Sequence, residues 1–366
     1  MEGAALSPAA GDRAARERTV VVAGYYGFGN LGDEILREVL VDALFRSGAA
    51  RPVVLVRTPR REGEVARFDP LGVLRALRRA RGLVLGGGGL LQNRTSERSL
   101  LYYLGLLFLA RLVVRPVLLV GQGVGPIRGR GARALVRIAL RRVAYLGCRD
   151  EESASLLRSL GMNPVVDGDL ALLLPPVEPP SREPGPTRIA LVLKGSRSDS
   201  KRRTLIDEVS ALLVTFRRRG EVEVDLVVFF PQEDLPLAEG IARRVHGATL
   251  CLPADANEAT RVLSQSDLVL ASRLHAAELA LRAGTPVAIL AEDPKIEAFA
   301  RTVREAGGPE IPCSSRVDAG ALAALLEAPP PAARLQETYL RLHARTARAF
   351  EDFLSRLDAA LGGDDA

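Results

Sequence analysis

Short apolar runs recur along this chain, most of them ended by glycine or a polar residue and several followed by a helix-like stretch. They fall at residues 19–24, 53–57, 83–85, 117–120, 189–193, 224–230, 267–271 and 287–290, with helical patterns at 33–47, 131–143, 203–218, 235–245 and 276–283. Parallel strands are covered by helices on both faces, so they read as unbroken apolar runs separated by helical crossovers. The pattern predicts an α/β architecture of doubly wound parallel sheets. Between residues 175 and 187 proline is too dense for strand or helix to continue. The pattern then restarts. The expected organisation is a disordered tail at 1–17, a Rossmann-like domain at 18–174, a linker at 175–187, a second Rossmann-like domain at 188–330 and a closing helix at 331–366. A chain of 366 residues is long enough for two such domains facing across a cleft.

Ligands of open α/β sheets bind where strands end and helices begin. His275, in Ser272-Arg273-Leu274-His275, has that address: the strand at 267–271 precedes it and a helix follows, stopped at Gly284-Thr285-Pro286. Of the three histidines it alone is so placed, and imidazole changes charge close to neutral pH, with a reference pKa of roughly 6.5. Lys295, in Asp293-Pro294-Lys295, lies one strand–loop unit further on. It is one of three lysines among forty-seven arginines. An isolated lysine in an arginine-rich chain marks a place where a compact point charge is wanted. Arg149 also stands between a short apolar run and a helix, ahead of Asp150-Glu151-Glu152.

Three glycine-rich loops follow strands. Gly27-Phe-Gly29-Asn30-Leu-Gly32 fits the spacing of a dinucleotide loop, but Asp33 and Glu34 directly after it place two carboxylates at the positive end of a helix. A bare pyrophosphate would be repelled there, and sugar hydroxyls suit the loop better. The next strand runs into Arg57 rather than the acidic residue that would hold a ribose. An arginine could accept the phosphate of NADP, which leaves that ligand a weak candidate. The loops 86–89 and 121–125 lie beside Gln92, Asn93, Thr95 and Gln122, uncharged groups of the kind a polyol site needs.

The composition removes several classes. The formal charge is +6, yet only 4% of residues are aromatic and no basic stripe interleaves with stacking groups, which argues against nucleic acid. An anionic substrate or an anionic membrane surface stays open. Cys148, Cys251 and Cys313 have neither metal nor disulfide spacing, in keeping with a reducing cytoplasm. The apolar run 100–110 is too short to span a bilayer and reads as a buried or membrane-touching helix. No serine-nucleophile elbow, P-loop or zinc-protease motif is present.

Taken in order, these segments resemble the polysaccharide pyruvyl transferase family, of the CsaB type. The likeness spans about residues 20–305. It rests on Gly24-Tyr-Tyr-Gly-Phe-Gly-Asn-Leu-Gly-Asp-Glu34, Gly86-Gly-Gly-Gly-Leu-Leu-Gln92 with Thr95-Ser96, Gly121-Gln-Gly-Val-Gly-Pro126 and Cys148-Arg-Asp-Glu151. In the second half it rests on Ser272-Arg-Leu-His-Ala276, Gly284-Thr-Pro286 and Asp293-Pro-Lys-Ile296 with Phe299. Cys148 stands where an aromatic residue is common, and Asp167-Gly-Asp-Leu170 is an altered form of an expected Asp-Pro segment.

The resemblance implies a GT-B-like fold and transfer of pyruvate from phosphoenolpyruvate to two hydroxyls of a sugar as a cyclic ketal, with release of phosphate. It implies an N-acetylmannosamine unit of a lipid-linked cell-wall precursor as acceptor, in a pathway that anchors surface-layer proteins. The acceptor would lie with the first domain and the donor with the second. His275, Arg149 and Lys295 would be catalytic. Ser272, Arg273, Leu274, Gly29, Asn30, Asp33, Gln92, Thr95 and Gln122 would contact substrate. No metal and no cofactor beyond the donor is implied. The expected place of work is the cytoplasm, peripherally at the inner face of the membrane. Two other readings remain at this point: a GT-B glycosyltransferase using a nucleotide-sugar, and a non-enzymatic α/β protein that binds a metabolite.

Overall fold

The computed structural model describes residues 18–94, 96–114, 116–178 and 185–362. The tail at 1–17, Thr95 and the proline-rich residues 179–184 lie outside them. The described residues divide into two compact units: those within 18–28, 36–173 and 345–362 form the first, those within 29–35 and 174–344 the second.

The elements of the first unit are β1 (Thr19–Ala23), α1 (Leu31–Arg46, whose first turn belongs to the second unit), β2 (Arg51–Val56), β3 (Glu64–Ala66), α2 (Pro70–Arg79), β4 (Gly82–Leu85), β5 (Gly88–Leu91), α3 (Glu97–Val113), β6 (Val117–Val124), α4 (Arg130–Leu140), β7 (Tyr145–Cys148), α5 (Glu151–Ser159) and β8 (Val165–Val166). The strands lie in the order β3-β2-β1-β4-β6-β7-β8, β5 pairs with β6, and the pairings are parallel. The central strands are buried on both faces through Val20–Val22, Leu83–Leu85 and Leu118–Val120, which is why they read as apolar runs. The run at 100–110 is α3. Ser96 caps it, and Leu100, Tyr103, Leu104, Leu106, Leu107 and Ala110 turn into the core. Full burial of such side chains contributes about 1.5–3 kcal/mol each.

The second unit repeats the plan with β9 (Thr187–Val192), α6 (Asp199–Arg217), β10 (Val222–Val227), α7 (Pro231–Ala242), β11 (Ala248–Cys251), α8 (Ala256–Ser264), β12 (Leu268–Ala271), α9 (Leu274–Ala283), β13 (Val287–Leu290), α10 (Pro294–Glu305), β14 (Cys313–Ser314) and α11 (Ala319–Glu327). Its strand order is β11-β10-β9-β12-β13-β14, again parallel. Gly284 ends α9 in the left-handed region at φ 71°, the backbone state that glycine adopts without strain. The closing helix α12 (Ala332–Gly362) starts in the second unit, where the Tyr339 hydroxyl donates to the Leu174 carbonyl at 2.7 Å, and its last residues belong to the first. There Phe353 meets the edge of Tyr145, with ring centroids 5.4 Å apart.

Each sheet reverses its winding direction once, between β1 and β4 in the first unit and between β9 and β12 in the second. These switch points are where chain crossovers leave to opposite faces and open a crevice at the strand ends. In the second unit the residues directly after the two strands are Lys194-Gly195 and Ser272-Arg273-Leu274-His275.

Candidate functional site

The second unit gathers most of the residues singled out in the sequence. Val192 pairs with Ala271, so β9 and β12 end side by side. The Lys194 amide then donates to Ser272 Oγ at 2.6 Å. Arg273 reaches α7, donating through Nε to Asp234 Oδ2 at 3.1 Å and through Nη2 to Glu233 Oε2 at 3.2 Å and to Asp234 Oδ1. Asp234, buried, also accepts from the amides of Gly195 and Phe230, each at 2.9 Å. Arg273 is therefore oriented by a carboxylate that is itself fixed at two further points.

His275, in the first turn of α9, packs against the start of α1. A Cβ built at Gly32 would run into His275 Nδ1, so only glycine leaves room for the imidazole. His275 Nε2 is buried, and a carboxylate oxygen of Glu278, one turn on, lies within 4.8 Å of a ring nitrogen. The glycine-rich loop reaches this place because the Leu31 amide donates to the Phe229 carbonyl at 2.8 Å. The last glycine of the loop thus serves the histidine, and no nucleotide is needed to explain it.

Asp33 is buried beside this junction, and Asn30 donates to its carboxylate. Burial pushes the carboxyl up to about 7. Lys295, the Asn30 amide and Arg273 pull it down, and Glu34 pushes it further up. The predicted picture of two plain carboxylates at a helix start is corrected here: Asp33 changes charge near neutrality. Lys295 is exposed at the N-terminus of α10, where Asp293 caps the helix and accepts from the Lys295 amide at 3.3 Å. Gly29 is exposed at φ 79° with open space around its Cβ position.

Two lysines belong to the same strand edge and escaped the sequence reading. Glu292 is exposed at its end of β13, and its carboxyl is shifted upward chiefly by partial desolvation, against the pull of Lys194, Arg273 and Lys201. All three lysines of the chain therefore lie around one sheet edge, Lys194 after β9, Lys201 in the first turn of α6 and Lys295 in that of α10. The argument that singled out Lys295 applied equally to Lys194, which also follows an apolar run.

Some predicted contacts are framework instead. Ser272 and Leu274 are buried, the first by its bond to the Lys194 amide and the second in the core. Gln122 is 0% exposed. Its amide donates to the Leu85 carbonyl at 3.2 Å and to that of Gly86, tying β6 to the end of β4. Thr95 lies outside the described residues. Gln92 accepts from the Arg94 amide at 2.8 Å and shapes its own turn.

Arg149 belongs to the first unit, at the end of β7. Its side chain is 8% exposed and spans Asp150 Oδ2 at 3.1 Å and Asp169 Oδ2 at 3.4 Å. A Cβ at Gly123 would come within 2.6 Å of Arg149 Nη2, so this glycine clears the guanidinium's place. Burial alone would raise the Asp150 carboxyl. Arg149 and the bonds from Ser153 overcome it and hold the group below its usual range. The segment after β8 completes the support. Asp167 takes the Gly121 amide on both oxygens at 3.1 Å, and Asp169 also takes the Ala171 amide at 3.0 Å. Asp169 is a positioning residue that spacing could not reveal, twenty residues away in sequence. Cys148 is buried, and burial raises its thiol well above the usual range, so it acts as core. Arg57 lies over the Phe28 ring at 5.3 Å, and Phe28 stacks on Tyr25 at 4.1 Å. These contacts account for Arg57 without a nucleotide phosphate.

A family model described as polysaccharide pyruvyl transferase matches residues 30–294. None of the curated proteins compared matches the chain. Among solved structures, the chain is similar to a putative UDP-N-acetylglucosamine 2-epimerase from Listeria monocytogenes, at 14% identity and TM-score 0.61, covering 95% of this chain and 98% of that one. It is similar also to the UDP-GlcNAc 2-epimerase from Neisseria meningitidis, solved with UDP-GlcNAc, at 12% identity and TM-score 0.58, covering 92% and 100%. The likeness is one of fold: two parallel-sheet α/β domains of the GT-B type.

Proposed function

The chain belongs to the polysaccharide pyruvyl transferase family, and from that membership we propose that it moves pyruvate from phosphoenolpyruvate onto two hydroxyls of a sugar as a cyclic ketal. The observation that carries the reading is the β12–α9 junction, where an imidazole, Lys295, Arg273 and a carboxyl poised near neutrality meet at one strand edge. Phosphoenolpyruvate brings a carboxylate and a phosphate, and cations at that edge suit both.

The chemistry must add a proton to the methylene carbon, form two carbon–oxygen bonds at the central carbon and break the bond to phosphate. One sugar hydroxyl attacks as the methylene becomes methyl. The phosphate then leaves, and the second hydroxyl takes its place. Of the two hydroxyl protons, one balances the methyl group and the other leaves with phosphate. His275 delivers the proton to carbon, and Asp33 accepts from the attacking hydroxyl. General acid–base transfer of this kind contributes about 10²–10⁴-fold. Lys295 meets charge developing on the leaving phosphate. Arg149, in the other unit, is carried into this reading by the family resemblance. The acceptor proposed is a lipid-linked saccharide with an N-acetylmannosamine unit, as in the CsaB type, met on the cytoplasmic face of the membrane.

The test is phosphate release from phosphoenolpyruvate across a panel of sugar acceptors, with the ketal identified by mass. Release that depends on acceptor supports the reading. Consumption of a UDP-sugar with phosphoenolpyruvate untouched would overturn it in favour of glycosyl transfer, and binding without turnover would make the protein a metabolite binder.

A further inference from the structure

From Arg98 to Arg149 the sequence carries ten arginines and no aspartate or glutamate, in a chain with 44 acidic residues. Much of this stretch is α3 and α4, which pack on each other in the first unit. Arg111 Nη1 donates to the Ile138 carbonyl at 2.7 Å and joins the end of α3 to α4. Beside that joint large aliphatic groups face outward: Leu112 is 86% exposed and Ile138 54%, with Leu101 and Leu135 exposed on the same two helices. On α3, Arg98, Leu101, Gly105 and Leu112 follow helical spacing along one exposed stripe. On α4 and just past it, Arg130, Arg133, Arg137, Arg141 and Arg142 are exposed.

We propose that the α3–α4 face docks on an anionic lipid surface, with Leu112 and Ile138 entering the acyl boundary and the α4 arginines meeting lipid phosphates. Helices that lie in a membrane interface combine these two features, exposed aliphatic groups and a surface rich in cations; the one acid of α3 and α4, Glu97, stands at the start of α3. A nucleic acid would use the arginines but gives Leu112 and Ile138 nothing to enter. A second copy of the same face would bring the α4 arginines against one another, with Glu97 at the start of α3 the only carboxylate of these two helices to offset them. No helix among the described residues is long and apolar enough to cross a bilayer, so this docking is peripheral. Its use to the enzyme, bringing the first unit to a lipid-linked acceptor, rests on the reading above; lipid binding itself does not.

The experiment is co-sedimentation of the full chain with phosphatidylcholine vesicles, with and without phosphatidylglycerol. The expected result is at least tenfold tighter binding to the anionic vesicles, weakened by salt. Leu112→Ser with Ile138→Ser, and separately Arg137→Glu with Arg141→Glu, should each remove most of the binding while leaving the melting curve and solution phosphate release unchanged. Three results overturn the proposal: no preference for anionic vesicles, unchanged binding by both double variants, or a dimer in light scattering that Leu112→Ser with Ile138→Ser dissolves. Tighter binding to a duplex oligonucleotide, insensitive to the Leu112 and Ile138 changes, overturns it in favour of nucleic acid. Vesicle binding by a protein that releases no phosphate from phosphoenolpyruvate would sustain the docking face and sink the catalytic reading alone.

Discussion

Replacing His275 with alanine takes the imidazole out of the β12–α9 junction and leaves Lys295, Arg273 and the strand edge in place. If His275 passes the proton to the enol carbon, turnover should fall by about a hundredfold or more, while phosphoenolpyruvate still binds. Steady-state kinetics beside a binding titration separates the two, and near-normal turnover would remove His275 from the chemistry. Lys295 offers a finer test. It stays a lysine in an arginine-dominated chain, so charge alone is a poor account of it. Lys295→Ala should weaken donor binding by about 1.5–3 kcal/mol, the contribution of a hydrogen bond to a charged group. Lys295→Arg should also be impaired, because a planar fork does not fill the place of a compact ammonium. Wild-type rate and affinity in Lys295→Arg would show that any cation suffices.

At the scale of elements, the start of α1 is built around the histidine it touches. Gly32→Ala puts a methyl group onto Nδ1 of His275 and should cost about 1–3 kcal/mol of stability, as overpacking does. Adding His275→Ala should recover most of that loss, a coupling visible in urea denaturation of the two single variants and the double. Simple additivity would mean that the two residues do not press on each other. The sequence marked Gly32 as part of a ligand loop because the glycine spacing invited it; the true neighbour lies 243 positions on and only the fold supplies it. The buried strands were legible because both faces are covered, so their side chains are uniformly apolar. Strands β3, β11 and β14 were not, since their side chains are partly or fully exposed and make no apolar run. β5 hid in a glycine tract, and α8, α10 and α11 were missed between the strands they connect. Ser272, Leu274 and Gln122 lay in the right segments but point inward, a distinction that depends on which way each side chain leaves the strand end.

Across the whole molecule, protons report on both units. Asp33 in one and Asp167 in the other are held above the carboxylate reference of 3.8 by burial, Asp33 at about 7 and Asp167 well raised. Each native carboxyl keeps its proton where the unfolded chain has shed it. Stability is therefore greatest below the unfolded value and falls as pH rises through the interval between the two pKa values. Each pH unit fully inside that interval removes about 1.4 kcal/mol per group. For Asp33 the fall runs from about pH 4 to about 7 and then levels off. Asp150 has the opposite sign. Its carboxyl is lowered beside Arg149, so its contribution is complete above the unfolded value and is lost only in stronger acid. The wild type should thus lose stability between pH 4 and 7, in the window where Asp33 ionises. Asp33→Asn keeps the shape and the partner Asn30 but carries no titrating proton, so it should lose the share of that slope that belongs to Asp33. Asp150→Asn should instead lower stability throughout the range above the unfolded carboxylate value and flatten the acid limb. Urea denaturation across the pH series checks both. If the Asp33→Asn curve runs parallel to the wild type from pH 4 to 7, the Asp33 carboxyl is not held protonated by the fold, and its assignment as the base that meets the sugar hydroxyl loses its support.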